Sequence, residues 1–427
     1  LTSGSPEWQT GLRMQDTQIF SLALGLDGTP WFVKEVRLDR EARRLDLYLD
    51  FKAGTRFNHP ISAQPSPVHD TVQKSWRHMN FFQFECHLHA RVPRVSDPEQ
   101  GVRLIPVPWA RPDSGFTLLM EALMVLLSRT AMAVNEVGRL IGEYSQRLWR
   151  VLHHYVDEAH ERLDLSEVNT LGVDEVSRRG GQDYLTVIST PKTDTQPARI
   201  VWVGEGRNAA VLAEGIQWLE RHGLQTPPLT HAVVDLSPSY RKGLTDQLPN
   251  VRVIFDWFHV IKLAGEAVDH VRRREVQRVG QLLSGTRYLW LKRTENLTPG
   301  QAQRRSQLLT SGLETVRSWQ RLEALRRLAQ EPDPQQAETA LRWWCTWALR
   351  SRIPELKRLV TTIRAHWDGI VAYFQTRITN ATAETLNGIF QTIKRKARGF
   401  RTLRCLRTMT YLVAGHLDLR IPRPFPV

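Results

Sequence analysis

The sequence predicts a multidomain α+β protein, in which an α/β core with an all-α insertion follows a small β-rich module and a pair of helices. Three patterns lead to this prediction. Apolar and polar residues alternate with a period of two over residues 45–51 and 84–92, which indicates half-exposed strands. Strands and helices alternate over residues 168–275. Residues 276–367 have a wholly helical pattern.

The composition favours a nucleic-acid partner. The 427 residues suffice for about two to four domains, and 58 Lys+Arg against 44 Asp+Glu give a net charge of +14. Cys86, Cys345 and Cys405 are too far apart for a disulfide framework or a four-cysteine zinc site. We expect no membrane partner, because the longest apolar run, residues 118–127, is too short to span a bilayer and no signal-peptide pattern is present.

The N-terminal quarter of the chain predicts a β-rich module over residues 14–110, after an unstructured lead over residues 1–13. Translation could start at Leu1 or Met14. The module combines a hairpin, a loop rich in Pro, Ser and His, and a strand that pairs with the segment after the next turn. The hairpin is formed by residues 31–38 and 45–51, and the loop is residues 57–70. The strand over residues 84–92 pairs with residues 102–107.

Residues 111–165 have helix-turn-helix spacing. An apolar helix is followed by a turn at Gly142 and by a second helix from about Ser145. The exposed face of that second helix offers polar and basic side chains to phosphates or base edges: Gln146, Arg147, Arg150 and His154. An ordinary helical hairpin fits the same pattern, and the sequence leaves the two interpretations open.

Residues 168–275 predict three antiparallel strands, with a turn at residues 179–182, followed by alternating helices and strands. This order is ribonuclease-H-like. Asp174 ends the first strand and Asp235 ends the strand after the first crossover helix, and sites gather at the carboxyl ends of such strands. We assign residues 166–275 and 372–419 to the core, 276–371 to a helical insertion and 420–427 to a tail. The insertion's tryptophans are interpreted as core residues, with a base-stacking surface as the alternative.

Residues 380–401 predict one amphipathic helix with an acid and a basic end. Its apolar stripe is Leu386, Ile389, Phe390, Ile393 and Ala397. Glu384 falls opposite this stripe, Asn387 lies on or near the face of Glu384, and Gly399 stands where the helix should end. A solvated helix whose charges complement the macrodipole is one interpretation. The other is that Glu384 holds a divalent metal and the basic end holds a phosphodiester backbone through Lys394, Arg395, Lys396, Arg398 and Arg401.

Asp174, Asp235 and Glu384 thus fall on two strand ends and one helix of a single predicted fold. Together they offer carboxylate ligands for two Mg²⁺ or Mn²⁺ ions, which is an arrangement suited to phosphodiester chemistry. A strand-end aspartate is often only the cap of the next helix, and Ser237-Pro238 after Asp235 is compatible with that alternative.

Several motifs resemble the DDE transposases of bacterial insertion sequences of the ISL-three family. They are LGVDE, HAVVDLSPSY, IFDWFHVIK and TNATAETLNGIFQTIKRKARGFR, and SWRHMNFFQFECHLHARVPRV and VPWARPDSGFTLL are similar to that family's N-terminal region. The resemblance implies that Asp174, Asp235 and Glu384 are the catalytic triad. Asp256 is the competing second acid, and His259 and Lys262 beside it are candidate DNA contacts.

The sequence departs from that family in two places. Members usually carry a zinc ribbon of paired cysteines, and the matching positions here are His59, Ser62, Asp97 and Gln100. Trp257 stands where an arginine is usual. Because Ser and Gln are poor zinc ligands, we predict that the N-terminal module folds without zinc.

The resemblance and the acids predict a transposase that binds the terminal inverted repeats of its own element, cleaves a strand at each end and joins the 3′-hydroxyls to target DNA. We expect a homodimer or higher oligomer in the synaptic complex and a cytoplasmic, nucleoid-associated location. The sequence leaves two alternative functions open. One is a catalytically silent DNA-binding regulator descended from a transposase, and the other is a metal-dependent nuclease or resolvase.

Overall fold

The chain forms two compact units. The computed structural model describes residues 15–178, 183–194, 196–236 and 238–423, without the side chains at positions 238 and 239. Among the described residues, the first unit comprises residues 15–159, 396–409 and 418–423, and the second comprises those within residues 160–395 and 410–417. The predicted lead over residues 1–13, the turn at residues 179–182, Ser237 and residues 424–427 lie outside the described residues.

The first unit contains a five-stranded sheet and a two-stranded one, preceded by a short helix. Their elements are α1 (Asp16–Ala23), β1 (Trp31–Asp39), β2 (Arg44–Phe51), β3 (Phe57–Asn58), β4 (Pro65–Ser66), β5 (Val68–Phe81), β6 (Phe84–Asp97) and β7 (Gly101–Leu104). The large sheet has the order β1-β2-β6-β5, and β7 pairs with β6. The predicted β1–β2 hairpin and the pairing of β6 with β7 are confirmed.

The prediction missed β5. This strand pairs antiparallel with β6 along most of its length, but its buried residues do not alternate cleanly, since Trp76 and Arg77 are both buried. The sequence interpretation therefore extended a loop to Asp70, where the structure has the β3–β4 pair and the start of β5. Tertiary pairing, rather than local periodicity, forms this strand.

The positions that match the zinc ribbon are joined by hydrogen bonds. The Ser62 hydroxyl donates to Asp97 Oδ2 at 2.7 Å, and the backbone N–H of Gln100 donates to Asp97 Oδ1 at 3.0 Å. His59 is 1% exposed, and its Nδ1 accepts from the Ser62 backbone N–H at 3.3 Å. Hydrogen bonds among polar side chains therefore connect the two turns at this place.

Three helices follow: α2 (Leu118–Arg129), α3 (Val134–Ile141) and α4 (Ser145–Glu161), of which all but the last two residues of α4 belong to the first unit. Gly142 ends α3 in the left-handed conformation, at φ 75°. A Cβ at Gly138 would lie 2.5 Å from the Glu143 carbonyl oxygen, so glycine permits the tight turn. The predicted turn at Gly142 and the helix from Ser145 are confirmed.

The second unit is built on a mixed sheet. Its elements are β8 (Thr170–Ser177), β9 (Tyr184–Thr190), β10 (Arg199–Glu205), α5 (Ala209–Arg221), β11 (His231–Val234), α6 (Pro238–Gln247) and β12 (Arg252–Phe255). The order is β10-β9-β8-β11-β12, in which β8 to β10 are antiparallel and β11 is parallel to both β8 and β12. The predicted succession of three antiparallel strands and then alternating helices and strands is confirmed.

From Trp257 to Thr376 the chain consists of helices joined by short turns. The helices are α7 (Trp257–Val279), α8 (Arg287–Leu291), α9 (Pro299–Leu308), α10 (Glu314–Leu328), α11 (Pro334–Arg350), α12 (Pro354–Ala365) and α13 (Trp367–Thr376). Trp290 and Trp344 are buried in the same apolar core as the sheet, whereas Trp343 is exposed. The predicted core role is therefore confirmed for Trp290 and Trp344. Burial of each indole removes a large apolar area from water.

The last helices are α14 (Ala381–Ala397) and α15 (Leu403–Ala414). Leu386, Phe390 and Ile393 are buried, as the predicted apolar stripe requires. Arg398 and Gly399 follow α14 and both have a positive φ. The helix therefore ends near Gly399, as the sequence predicted. None of the helices in the described part of the chain has the length and apolarity to cross a membrane.

Candidate active site

The register of the second unit's sheet brings Asp174 and Asp235 to neighbouring positions. Parallel pairing of β8 with β11 ends at Val173 opposite Val234, so the two aspartates are the next residues on adjacent strands. β8 itself continues past Asp174 to Ser177, where it is paired with β9. Asp174 therefore ends the pairing of β8 with β11, as predicted, but it does not end the strand. The two carboxylates therefore share one edge of the parallel part of the sheet.

Asp174 is held by two donors in a shielded position. The Glu175 backbone N–H donates to Oδ1 at 2.7 Å, and Asn387 Nδ2 donates to Oδ2 at 2.7 Å. Burial raises the pKa of Asp174 to about 6, and the neighbouring Asp235 charge also raises it, against the hydrogen bonds and the His259 charge. Two carboxylates placed together in a low-dielectric site attract a cation.

Helix α14 is aligned on β8 by three side chains spaced seven residues apart. Asn380 lies against Gly172, where an added Cβ would come within 3.3 Å of Asn380 Oδ1. Asn387 binds Asp174, and the Lys394 ammonium donates to the Ser177 carbonyl. A spacing of seven residues returns to the same helix face after two turns, so one face of α14 follows the strand.

Glu384 is exposed on α14, one turn before Asn387. Residues three apart on a helix are neighbours, so the Asn387 bond brings Glu384 to the same part of β8 as Asp174. Among the residues that the structure describes, no three His, Cys, Asp or Glu side chains converge closely enough to hold a metal ion. The structure thus brings Asp174 and Asp235 together but does not close Glu384 onto them.

The three acids fit a hard divalent cation in donor chemistry. Mg²⁺ and Mn²⁺ prefer carboxylate oxygens. The burial and mutual repulsion that raise the pKa of Asp174 are compensated when positive charge binds between the carboxylates.

Asp256, the competing second acid, has another role. It follows β12, the edge strand, and its buried side chain caps α7 by accepting from the Phe258 backbone N–H at 3.3 Å. His259 Nδ1 lies 3.6 Å from its other oxygen. The neighbouring Asp256 carboxylate raises the pKa of His259, and the charges of Asp235 and Asp174 add to that rise. His259 therefore brings a partly compensating positive charge toward the two acids.

The predicted base-reading side chains of α4 have different surroundings. Arg147 is engaged, because its Nη1 donates to Glu143 at 2.6 Å and its guanidinium lies over the Phe116 ring at 4.1 Å. Arg150 and Gln146 are exposed. Tyr144, just before the helix, is 81% exposed, and the sequence interpretation did not select it. Arg150 is thus the freer of the two arginines to reach a base edge.

The basic residues near the end of α14 also differ among themselves. Lys394 is partly buried, and burial lowers its pKa. Lys396 donates to the Thr130 carbonyl at 3.3 Å. Arg395, Arg398 and Arg401 are exposed, as is Lys262 on α7. The exposed side chains are the better placed for phosphate contacts.

Sequence reasoning considered Asn380 only as a possible cap of this helix, and it placed Asn387 on or near the Glu384 face without giving it a partner. The available signal was the spacing of Asn380, Asn387 and Lys394, each seven residues from the next. That spacing marks a helix face, but the strand against which the face packs lies more than 200 residues earlier in the chain. Only the fold reveals the partner.

A chain that contains both a helix-turn-helix and an α/β unit with acids at adjacent strand ends is typical of enzymes that bind and cut DNA. Residues 171–410, more than half of the chain, match a family described as transposase. Residues 105–156 match the helix-turn-helix domain of transposase family ISL3, the ISL-three family. The chain belongs to this transposase family. It is therefore a DNA-binding enzyme that cleaves and transfers DNA strands, as its motifs predicted.

Curated relatives agree with this assignment. The chain is 27% identical over 378 residues to the transposase for insertion sequence element IS1557 of Mycobacterium tuberculosis, in strains CDC 1551 and H37Rv, covering 80% of this chain and 82% of the relative. It is 23% identical over 372 residues to the transposase for insertion sequence element IS1001 of Bordetella parapertussis, covering 84% and 89%. The similarity spans most of each protein.

Proposed function

We propose that this transposase binds the terminal inverted repeats of its own insertion sequence, hydrolyses a strand at each end and joins the freed 3′-hydroxyls to target DNA. The observation that carries the proposal is the sheet register, which makes Asp174 and Asp235 neighbours, together with the bond from Asn387 that ties the Glu384 helix to Asp174. No covalent protein–DNA intermediate is needed, because water and then a DNA hydroxyl are the nucleophiles.

Asp174, Asp235 and Glu384 are the proposed ligands of two Mg²⁺ or Mn²⁺ ions. When bound, such ions activate the attacking hydroxyl and stabilise the leaving oxygen. Asp174 is oriented by the Glu175 backbone and by Asn387, so its carboxylate does not have to be ordered during the reaction. Glu384 is exposed and completes the set when DNA and metal arrive.

We also propose the finer architecture. The order β10-β9-β8-β11-β12 supports a ribonuclease-H-like core over residues 166–275 and 372–419. The continuous run of helices after β12 supports a helical insertion over residues 276–371. The β-rich module over residues 14–110 and the helix-turn-helix region over residues 111–165 precede the core, and residues 420–427 form the tail.

The proposed DNA contacts have two roles. Arg150, assisted by Arg147, reads base edges of the repeat from α4, since one is exposed and the other is fixed beside it. The remaining basic residues bind phosphates: Lys262, Lys394, Arg395, Lys396, Arg398 and Arg401. Because two element ends must be processed together, we propose a homodimer or higher oligomer in the synaptic complex, acting at the chromosomal DNA of the cytoplasm.

A cleavage and joining assay tests the proposal. The purified chain is incubated with a labelled duplex that carries the terminal repeat of its element, with supercoiled plasmid as target, in Mg²⁺ or in EDTA. We expect Mg²⁺-dependent cleavage at the repeat boundary and covalent joining of the 3′ end to plasmid. Specific binding without cleavage would indicate a silent regulator instead, and cleavage of branched DNA without joining would indicate a nuclease or resolvase.

A further inference from the structure

A cavity of about 870 Å³ opens beside Glu384 in the second unit. Its walls come from the beginning of α7, from residues 291–296, from the C-terminal part of α10 with residues 329–330, and from the beginning of α14. Glu384 is the proposed catalytic acid that lines it. The volume falls within the range of about 300–1,000 Å³ typical of pockets for drug-sized molecules. A compact ligand, rather than a duplex, fits such a space.

One wall of the cavity is aromatic. Phe258 is 55% exposed, which is unusual for a large apolar side chain at a helix start. Beside it, Trp257 is 4% exposed and stacks on Tyr373, with ring centroids 5.9 Å apart and planes 8° apart. Trp257 Nε1 is buried and has no hydrogen-bond partner in the described part of the chain. An exposed ring next to an unused buried donor fits a planar, hydrogen-bonding ligand.

The charged side chains of the cavity are mixed, and most are already neutralised. Arg326 donates to Glu323 at 2.5 Å and to the Leu291 carbonyl at 2.6 Å. Arg293 lies 3.9 Å from Glu295. These contacts satisfy the two arginines without a ligand.

Lys292 and Arg327 complete the cations of the cavity, and neither forms an ion pair among the residues that the structure describes. The acids left besides the two pairs are Asp256, which caps α7 from a buried position, and Glu384. Two cations near an aromatic wall match a group that combines a phosphate with a planar ring.

We propose that this cavity binds one unpaired nucleotide of the DNA end next to the cleaved phosphodiester. The base stacks on Phe258, the indole N–H of Trp257 donates to the base or sugar, and the phosphate is bound by Lys292 and Arg327. The inference rests on the proposed function, since it places the scissile phosphodiester at Glu384. Extrusion of a terminal nucleotide costs unstacking and unpairing energy, which contacts in the cavity offset.

The test compares the affinities of two DNA ends. One probe is a fully paired duplex with the terminal repeat, and the other has its last two base pairs replaced by T·T mismatches. Binding is measured in EDTA so that cleavage does not interfere. The wild-type chain should bind the mismatched end about tenfold more tightly, because the cost of unpairing is already met. Phe258→Ala and Arg327→Ala should reduce that preference to about twofold or less.

Tyr288→Ala is the matched control, because Tyr288 is a 58% exposed aromatic of the same helical region that does not line the cavity. It should keep the wild-type preference. A wild-type chain with no preference for the mismatched end, or a Phe258→Ala chain with an unchanged preference, would overturn the inference.

Loss of affinity for both ends by the same factor in Phe258→Ala would also overturn it. These outcomes count against the cavity alone when the wild-type chain still cleaves repeat DNA with Mg²⁺. If the wild-type chain neither cleaves nor prefers the repeat, the proposed function itself fails.

Discussion

Asn387 on α14 donates a hydrogen bond of 2.7 Å to Asp174 on β8 across 213 positions of the sequence. This contact joins the strand that bears the first acid to the helix that bears Glu384. Loss of a hydrogen bond to a charged group costs about 1.5–3 kcal/mol. Asn387→Ala should therefore lower the cleavage rate by roughly tenfold to a hundredfold and raise the Mg²⁺ concentration needed for half-maximal cleavage, while repeat binding in EDTA stays unchanged.

Thr385→Ala, an exposed position on the same helix, is the control for Asn387→Ala and should keep the wild-type rate. A wild-type rate and metal dependence in Asn387→Ala would show that the bond does not position Asp174 for catalysis.

The N-terminal module should fold without zinc. Asp97 accepts from the Ser62 hydroxyl and from the backbone N–H groups of Glu99 and Gln100, so hydrogen bonds connect the two turns. Elemental analysis should find well below one zinc per chain, and EDTA should leave the melting temperature unchanged. Asp97→Ala should lower the melting temperature, whereas Glu99→Ala, with an exposed side chain, should not. One tightly held zinc whose removal lowers the melting temperature would contradict this account.

The first unit should lose stability in mild acid because of His78. Burial lowers the pKa of His78 from 6.5 to about 4, and the Arg77 charge contributes. Below pH 6.5 the unfolded chain takes up the proton while the folded chain resists it until about pH 4. The free energy of unfolding should therefore fall as pH drops from 6.5 toward 4, by at most about 3 kcal/mol.

Denaturant unfolding of the whole chain, followed by tryptophan fluorescence at pH 7.5, 6 and 5, measures this loss. His78→Asn removes the titrating group and can still bond to Thr117, whose Oγ1 lies 2.8 Å from His78 Nδ1. The loss of unfolding free energy between pH 7.5 and 5 should be smaller in this variant than in the wild-type chain. An equal loss in both chains would assign the acid sensitivity to other groups.

Arg150 should contribute to repeat recognition more than to general affinity. Its exposed guanidinium can contact a base edge, which gives about 1–3 kcal/mol of discrimination. Arg150→Ala should reduce the ratio of repeat to random-DNA affinity by roughly fivefold or more.

The phosphate-contact side chain Arg401 provides the contrast. Arg401→Ala should weaken binding to both DNAs equally and reduce the slope of log affinity against log salt by about one. If both variants weaken repeat and random DNA to the same extent, α4 does not read bases.

The neighbouring positions of Asp174 and Asp235 were predictable because local signals mark both residues. Short apolar strands precede Asp174 and Asp235, and parallel strands bring their carboxyl ends to one edge, so their proximity follows once the strand order is known. The amphipathic pattern likewise predicted α14 and its end near Gly399. In each case the position of the element follows from a hydrophobic period or a helix-ending glycine that is visible in the sequence.

The partners of these elements were not predictable from the sequence. β5 lacks a clean period of two and is formed by pairing with β6. The engagement of Arg147 with Phe116 and Glu143, and the cavity beside Phe258, depend on side chains that come together only through tertiary packing. Local propensity does not encode such contacts.

The most direct measurement of the central claim is Mg²⁺-dependent cleavage of the terminal repeat by single carboxylate variants, with repeat binding measured in parallel. Asp174→Asn, Asp235→Asn and Glu384→Gln should abolish cleavage and retain repeat binding. Asp256→Asn should still cleave, because Asn can replace the cap, and the exposed Asp246→Asn should match the wild-type chain. Full cleavage by Glu384→Gln, or loss of cleavage in Asp256→Asn but not in Asp235→Asn, would contradict the account.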